Sequence, residues 1–408
     1  MKKIILILTL LVLSTFAKET LSNSAFNKLQ EAEKFIEKKE YKQASNILKP
    51  LLKDTNNITT SYALQSFASI YLEQNKYKKA ISNYEKILKL DAFKTNEINR
   101  VKYVLSQLYL SETLYKKSIK YSLELLKSKD TNKELIYQNL TLAYYYTEEY
   151  KQSIIYDEKV IENKKRLLDE YLQTPKEKQK NKTKPNLETW YKILYSSYFE
   201  LKQYPKAIEI IKYMINTFES KEEYWMQLVL IYQNTNGQKQ MLSTLELAYD
   251  KGLINHKNNI QYFINMLLQN ELYNKAALLI EDGIKKGILK DDKLNFKTLV
   301  NAHLNAKNIK RAIKLLTTNV NAKDEYYEIL LGNIYYNKSN YKKVISTLEN
   351  LKFKKNTKYE GQKNILLALS YYELEKEEFS KKYLKKALSN KFEKLRAKKI
   401  IKQLGYKI

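Results

Sequence analysis

Trp225, Leu228 and Tyr232 stand at offsets 0, 3 and 7, which places them on one face of a helix. A polar run, "QNTNGQK", follows, and then Met241, Leu245 and Ala248 form a second stripe at helical spacing. The pattern predicts two helices joined by a tight turn. Gly237 falls in that turn, where a residue without Cβ is free to take positive φ. Neither stripe can be covered within one such pair, so pairs must stack on neighbours.

The same pattern recurs along the chain. Aligned on the usually small residue that starts each second helix, the anchors are Ala44, Ala80, Ser118, Ser153, Ala207, Met241, Ala276, Ala312, Val344 and Ser380. Their separations are 36, 38, 35, 54, 34, 35, 36, 32 and 36 residues. Nine residues before the anchor stand Tyr71, Tyr109, Tyr144, Tyr198, Tyr232, Tyr335 and Tyr371, with Leu267 and His303 at two of the places. A second aromatic often lies three residues before the anchor, as in "YKKA", "YKKS", "YPKA" and "YNKA". Period, small anchor and wedge-filling aromatic together resemble the tetratricopeptide repeat (TPR), over about Ser24 to Asn390.

That resemblance implies an all-α, right-handed solenoid of about ten helix-turn-helix repeats, with Trp225 and Tyr232 on a core face and Gly332 at a position of close helix approach. Two departures concern proline, the first being that the proline which usually ends the second helix is missing throughout. Pro50 falls inside a predicted second helix and is expected to kink or shorten it, whereas Pro205 lies near a helix start, where proline is tolerated. With only 7 Gly and 4 Pro in 408 residues, the composition suits long helices and short polar turns.

Five segments follow from the pattern. Residues 1–17, "MKKIILILTLLVLSTFA", have the charged, apolar and small-residue order of a secretory signal peptide, with cleavage expected near Ala17. Residues 18–161 carry about four repeats. Residues 162–185 hold the insertion behind the 54-residue interval, read as an extended second helix followed by a basic loop at Lys176–Lys184. Residues 186–390 carry about six repeats. Residues 391–408 form a basic amphipathic helix whose stripe is Leu395, Ala397, Ile400, Ile401 and Leu404, read as a cap on the last repeat, with peripheral membrane contact as the competing reading. No stretch after the signal segment is long and apolar enough to span a bilayer.

Charge and rare residues narrow the chemistry. The net charge is +28, yet only four arginines occur, so the basic balance does not have the Arg-rich form of a nucleic-acid site and no nucleic-acid partner is expected. There is no cysteine, hence no disulfide, thiolate ligand or thiol nucleophile, and with two histidines no histidine-rich metal site. His303 occupies the wedge position of its repeat and reads as a packed imidazole. No Gly-rich phosphate loop or serine elbow appears. The expectation is a non-enzyme without cofactor or metal.

The first helices of such repeats line an inner groove. Asn265, Asn301 and Asn333 occupy the same register position, two residues before the wedge residue, in three consecutive repeats. An amide both donates and accepts, so this register is a candidate for holding the backbone of an extended peptide. The chain has many asparagines, so composition alone is the competing explanation of the register.

A narrower resemblance covers roughly Asn186 to Gln403. The runs "EYWMQLVLIYQNTNGQKQMLSTLELAYDKGLI" and "YNKAALLIEDGIKKGILKDDKLNFKTLVNAHLNAKNIKRAIKLL" are similar to those of exported TPR proteins associated with TonB energy-transduction systems. The resemblance implies a periplasmic scaffold of a Gram-negative bacterium, with TonB, ExbB or ExbD among its partners. A scaffold for envelope assembly or polysaccharide export, or a peptidoglycan-associated accessory, is the alternative.

Overall fold

The computed structural model describes residues 21–129 and 131–407. The signal segment, with its expected cleavage site near Ala17, lies outside the described residues. The described residues are helical throughout, with no strand among them. Ten helix pairs follow in order: α1 (Asn23–Glu37) and α2 (Tyr41–Leu51), α3 (Asn57–Glu73) and α4 (Tyr77–Leu90), α5 (Thr95–Ser111) and α6 (Tyr115–Leu126), α7 (Lys133–Tyr146) and α8 (Tyr150–Gln173). After a single turn, α9 (Lys176–Gln179), come α10 (Glu188–Glu200) and α11 (Tyr204–Thr217), α12 (Glu222–Asn234) and α13 (Gln238–Asp250), α14 (Lys257–Gln269) and α15 (Tyr273–Lys285). The last are α16 (Lys293–Asn305) and α17 (Ile309–Thr318), α18 (Glu325–Asn337) and α19 (Tyr341–Leu348), α20 (Lys358–Glu373) and α21 (Glu377–Leu388), then α22 (Lys394–Leu404). This is an all-α array of TPR-type helix pairs.

The described residues form two compact units, one ending at Asn236 and the other beginning at Gly237. Within each, a helix packs chiefly on its neighbours in the chain, as a repeat array requires. In the first unit the stack runs from α1 to α12. In the second it runs from α13 to α22, and α18 also packs against α20.

One backbone device makes the turns. Every turn between the two helices of a pair holds a non-glycine residue at positive φ: Lys39, Asn75, Thr113, Glu148, Lys202, Asn236, Glu271, Lys307, Ser339 and Glu375. Each lies five residues before its anchor. In the nine pairs contained within one unit, the amide of the following residue bonds the carbonyl of the wedge residue, as Glu40 does to Phe35 at 2.8 Å and Lys376 to Tyr371 at 2.9 Å. This is a Schellman closure, which satisfies carbonyls that the helix end would leave bare. The turn expectation for Gly237 is corrected here: Gly237 has φ −82°, and Asn236 carries the left-handed conformation at 55°. The turn needs its left-handed residue one place earlier, immediately after the helix cap.

The anchors are all buried. Ala44, Ala80, Ala207, Ala276, Ala312 and Val344 are fully buried. The serine anchors Ser118 and Ser153 keep a polar atom inside by donating to the carbonyls of Ser106 (2.7 Å) and Thr141 (3.0 Å). Gly332 sits where a Cβ would meet Leu348 Cδ1 at 2.7 Å, so any side chain there would have to displace the Leu348 side chain. Pro50 is the penultimate residue of α2, which ends at Leu51, while Pro205 occupies the first turn of α11. The segment after α8 is not a bare loop: the Gln179 side chain donates to the carbonyls of Tyr171 and Thr174, tying the α9 turn back to the helix end. On α22, Ala397 and Ile400 are buried, with Ile401 and Leu404 packed beside them, but Leu395 is 75% exposed and leaves the expected stripe. The helix packs against α21 through its other apolar residues.

Candidate partner-binding surfaces

The wedge residues form a repeated joint between successive pairs. Trp225, Tyr109, Tyr144, Tyr198, Tyr335 and Tyr371 are buried. Tyr71 and Tyr232 are only half-buried, so Tyr232 is less enclosed than its register suggests. At three joints a glutamate five places after the previous anchor accepts from the wedge tyrosine. Tyr109 donates to Glu85 at 2.5 Å, Tyr198 to Glu158 at 3.1 Å and Tyr371 to Glu349 at 2.6 Å. His303, with no exposed surface, places Nε2 3.0 Å from Glu281. The joint thus supplies a polar partner for Nε2 of the buried imidazole, while Nδ1 is buried without one.

The residue just before the anchor completes the joint. Lys79, Lys117, Lys206 and Lys343 lie 5.6, 5.0, 5.1 and 5.3 Å from the ring centres of Tyr71, Tyr109, Tyr198 and Tyr335, within cation–π reach. Lys117 and Arg311 also reach the joint carboxylates Glu85 (3.2 Å) and Glu281 (3.4 Å). The hydrogen bond from Tyr109, with Lys117 beside it, holds the Glu85 carboxyl below its ordinary pKa. Burial, with Glu158 nearby, pushes the Tyr198 hydroxyl up to about 12. These acidic partners were legible once the anchors were aligned, because Glu85, Glu158, Glu281 and Glu349 recur at one offset.

The asparagine register lies within the second unit. Asn265 on α14, Asn301 on α16 and Asn333 on α18 are all exposed. The Asn333 amide donates to the Ile329 carbonyl of its own helix at 2.8 Å, and Gln261 donates to the Asn265 side-chain oxygen at 3.4 Å. The three side chains do not touch one another; they stand as separate polar stations on successive first helices. At the same register position in the first unit, Glu33, Ser69, Gln107, Leu142 and Ser196 are partly buried and Leu230 is exposed. Among the described residues no group of three or more His, Cys, Asp or Glu is placed to hold a metal ion, and no helix is long and apolar enough to cross a membrane.

No family model matches the chain, and no curated protein matches it. Solved structures that it is similar to include that of Naa15/Naa10 bound to HypK-THB, at 13% identity and a TM-score of 0.43, over 93% of this chain and 61% of that one. A TPR protein from Parabacteroides merdae is similar at 14% identity and a TM-score of 0.37, over 69% of this chain and 99% of that one. The C-terminal part of a TPR repeat-containing protein from Cytophaga hutchinsonii is similar at 15% identity and a TM-score of 0.36, over 78% and 99% of the two chains. The chain thus spans about three fifths of the length of the first of these.

Proposed function

We propose that the protein is a non-catalytic scaffold that holds an extended segment of a partner protein along the first helices of its second unit. The observation that carries this reading is the exposure of Asn265, Asn301 and Asn333 at one register position on α14, α16 and α18. Each amide offers a donor and an acceptor to a peptide backbone, whose own groups are unpaired in an extended conformation. The resemblance of residues 186–403 to TonB-associated TPR proteins, with the signal-like residues 1–17, supports a periplasmic setting and a partner in a TonB–ExbB–ExbD system. TonB-type proteins carry proline-rich linkers whose extended backbone leaves carbonyls free.

The test is cross-linking and pull-down from periplasm with the full chain and with the Asn265→Ala, Asn301→Ala, Asn333→Ala triple variant. The wild-type chain is expected to retain a TonB-system protein, and the triple variant to bind it more weakly by about 0.5–1.5 kcal/mol per lost hydrogen bond. Equal capture by both chains overturns the groove reading. Recovery of envelope-assembly or polysaccharide-export proteins instead overturns the TonB assignment.

A further inference from the structure

One joint of the second unit is built to the common plan but lacks its central group. At the contact of α13 with α14 and α15, Glu246 stands at the acceptor offset and Lys275 at the cation offset, and the two are ion-paired. Their exposures, 36% and 56%, match the 36% and 56% of Glu85 and Lys117 in the joint that Tyr109 fills. The wedge residue here is Leu267, which has no hydroxyl to offer. Glu85 binds both Tyr109 and Lys117, and Glu281 both His303 and Arg311, whereas Glu246 holds the cation alone.

Side-chain bulk is missing as well as a donor. In the fourth and tenth pairs the wedge tyrosine stacks on a second tyrosine three places after the anchor: Tyr144 on Tyr156 at 5.8 Å and Tyr371 on Tyr383 at 5.7 Å between ring centres. In the seventh pair that second position is Leu279. Replacing both rings by leucine leaves a pocket of about 370 Å³, with Leu267, Leu279 and Phe263 among its walls and Glu246 and Lys275 among its lining residues. Leu278, 44% exposed, also lines it. The Tyr249 hydroxyl is already committed to Asp282, whose carboxyl Lys286 and that bond hold below its ordinary pKa.

We propose that this pocket receives a tyrosine side chain of a partner polypeptide. The hydroxyl donates to Glu246, the ring lies beneath Lys275 and between Leu267 and Leu279, and the residues flanking the tyrosine cover Leu278. The chain's own filled joints define this chemistry: an apolar slot, a carboxylate acceptor at its end and a cation over the ring face. The site is distinct from the asparagine register and rests on the reading of the chain as a holder of polypeptide segments.

Ligand-observed NMR titration of the full chain tests it, using p-cresol, toluene, and acetyl-Gly-Tyr-Gly-amide with its phenylalanine counterpart. Saturable binding of p-cresol is expected, with toluene about three- to tenfold weaker for want of the hydroxyl. The Tyr peptide should bind at least as tightly as p-cresol and exceed the Phe peptide by a similar factor. Leu267→Tyr, which rebuilds the filled joint, should abolish binding. Glu246→Gln, a change at a half-exposed side chain, should shrink the cresol–toluene difference if the Leu267 variant does not fold. The triple asparagine variant should bind all four probes as the wild type does, so failure of the groove and failure of the pocket are separable. Equal affinity for cresol and toluene, no saturable binding, or binding unaffected by Leu267→Tyr overturns the pocket. Binding of p-cresol without binding of the Tyr peptide overturns the polypeptide occupant.

Discussion

The joints of the two units answer the same steric demand with different chemistry. Across the first unit the wedge position is aromatic in every pair, from Phe35 through Tyr71, Tyr109, Tyr144 and Tyr198 to Tyr232. In the second unit it runs Leu267, His303, Tyr335, Tyr371. At the histidine Glu281 supplies a partner for Nε2, whereas the apolar leucine leaves a pocket beside it. A joint therefore needs bulk at the wedge, and the hydroxyl is dispensable even where a glutamate stands at the acceptor offset, as Glu246 does beside Leu267. Variation at the wedge separates joints that merely hold the stack from one that keeps unused binding capacity.

The largest effect should come from emptying a filled joint. Tyr109 is 1% exposed and bonded to Glu85, so Tyr109→Ala should cost about 3–5 kcal/mol, read as a lowered urea midpoint of the first unit. Leu267→Ala should cost less, because its pocket is already partly open. A repeat array need not unfold in one step, so midpoints assigned to each unit are the quantities to compare. Equal losses at the two sites would break the distinction between filled and open joints.

A second contrast concerns the first unit's buried polar groups. Asp157 on α8 occupies a core position, has no exposed surface, and neither oxygen has a hydrogen-bond partner in the structure. Burial, with Glu158 beside it, pushes its carboxyl from an ordinary 3.8 to about 9. The folded chain thus holds a proton that the unfolded chain releases above about pH 4. The stability linked to this group is full below pH 4 and is lost as pH rises toward 9. Asp157→Asn should flatten this decline in the first unit and raise its stability at pH 8 by about 1–3 kcal/mol, measured by urea melts from pH 5 to 9. An unchanged pH profile would show that another group controls it.

Smaller effects test the turns and the groove. Thr113 is β-branched yet sits at φ 61°, a conformation that costs about 1–2 kcal/mol for a residue with a Cβ. Thr113→Gly should stabilise the first unit by about 1 kcal/mol, offset in part by the freer unfolded chain, as a thermal midpoint would show. At Asn236, a residue better suited to positive φ, the same change should do less. The triple asparagine variant should alter stability by under about 0.5 kcal/mol per site, because all three side chains are exposed. A large loss there would make the register structural and remove it as a partner surface.

Much of this molecule was legible in one dimension because a repeat array is nearly a one-dimensional object. Anchor spacing, wedge aromatics and the interruption after the fourth pair follow from short-range periodicity, and so does the all-helical class. The packed imidazole at His303 was readable from its register alone. Other features depended on coordinates. Gly237 has the composition of a left-handed residue, but helix length placed that conformation at Asn236. Leu395 fits an apolar stripe by spacing, but the packing of the last helix leaves it exposed. The pocket at Leu267 could not be seen in the sequence, since leucine there looks like any conservative core residue. Its meaning arises only where Glu246, Leu267 and Lys275 converge from three helices, because an empty volume is a property of neighbours and not of any one residue.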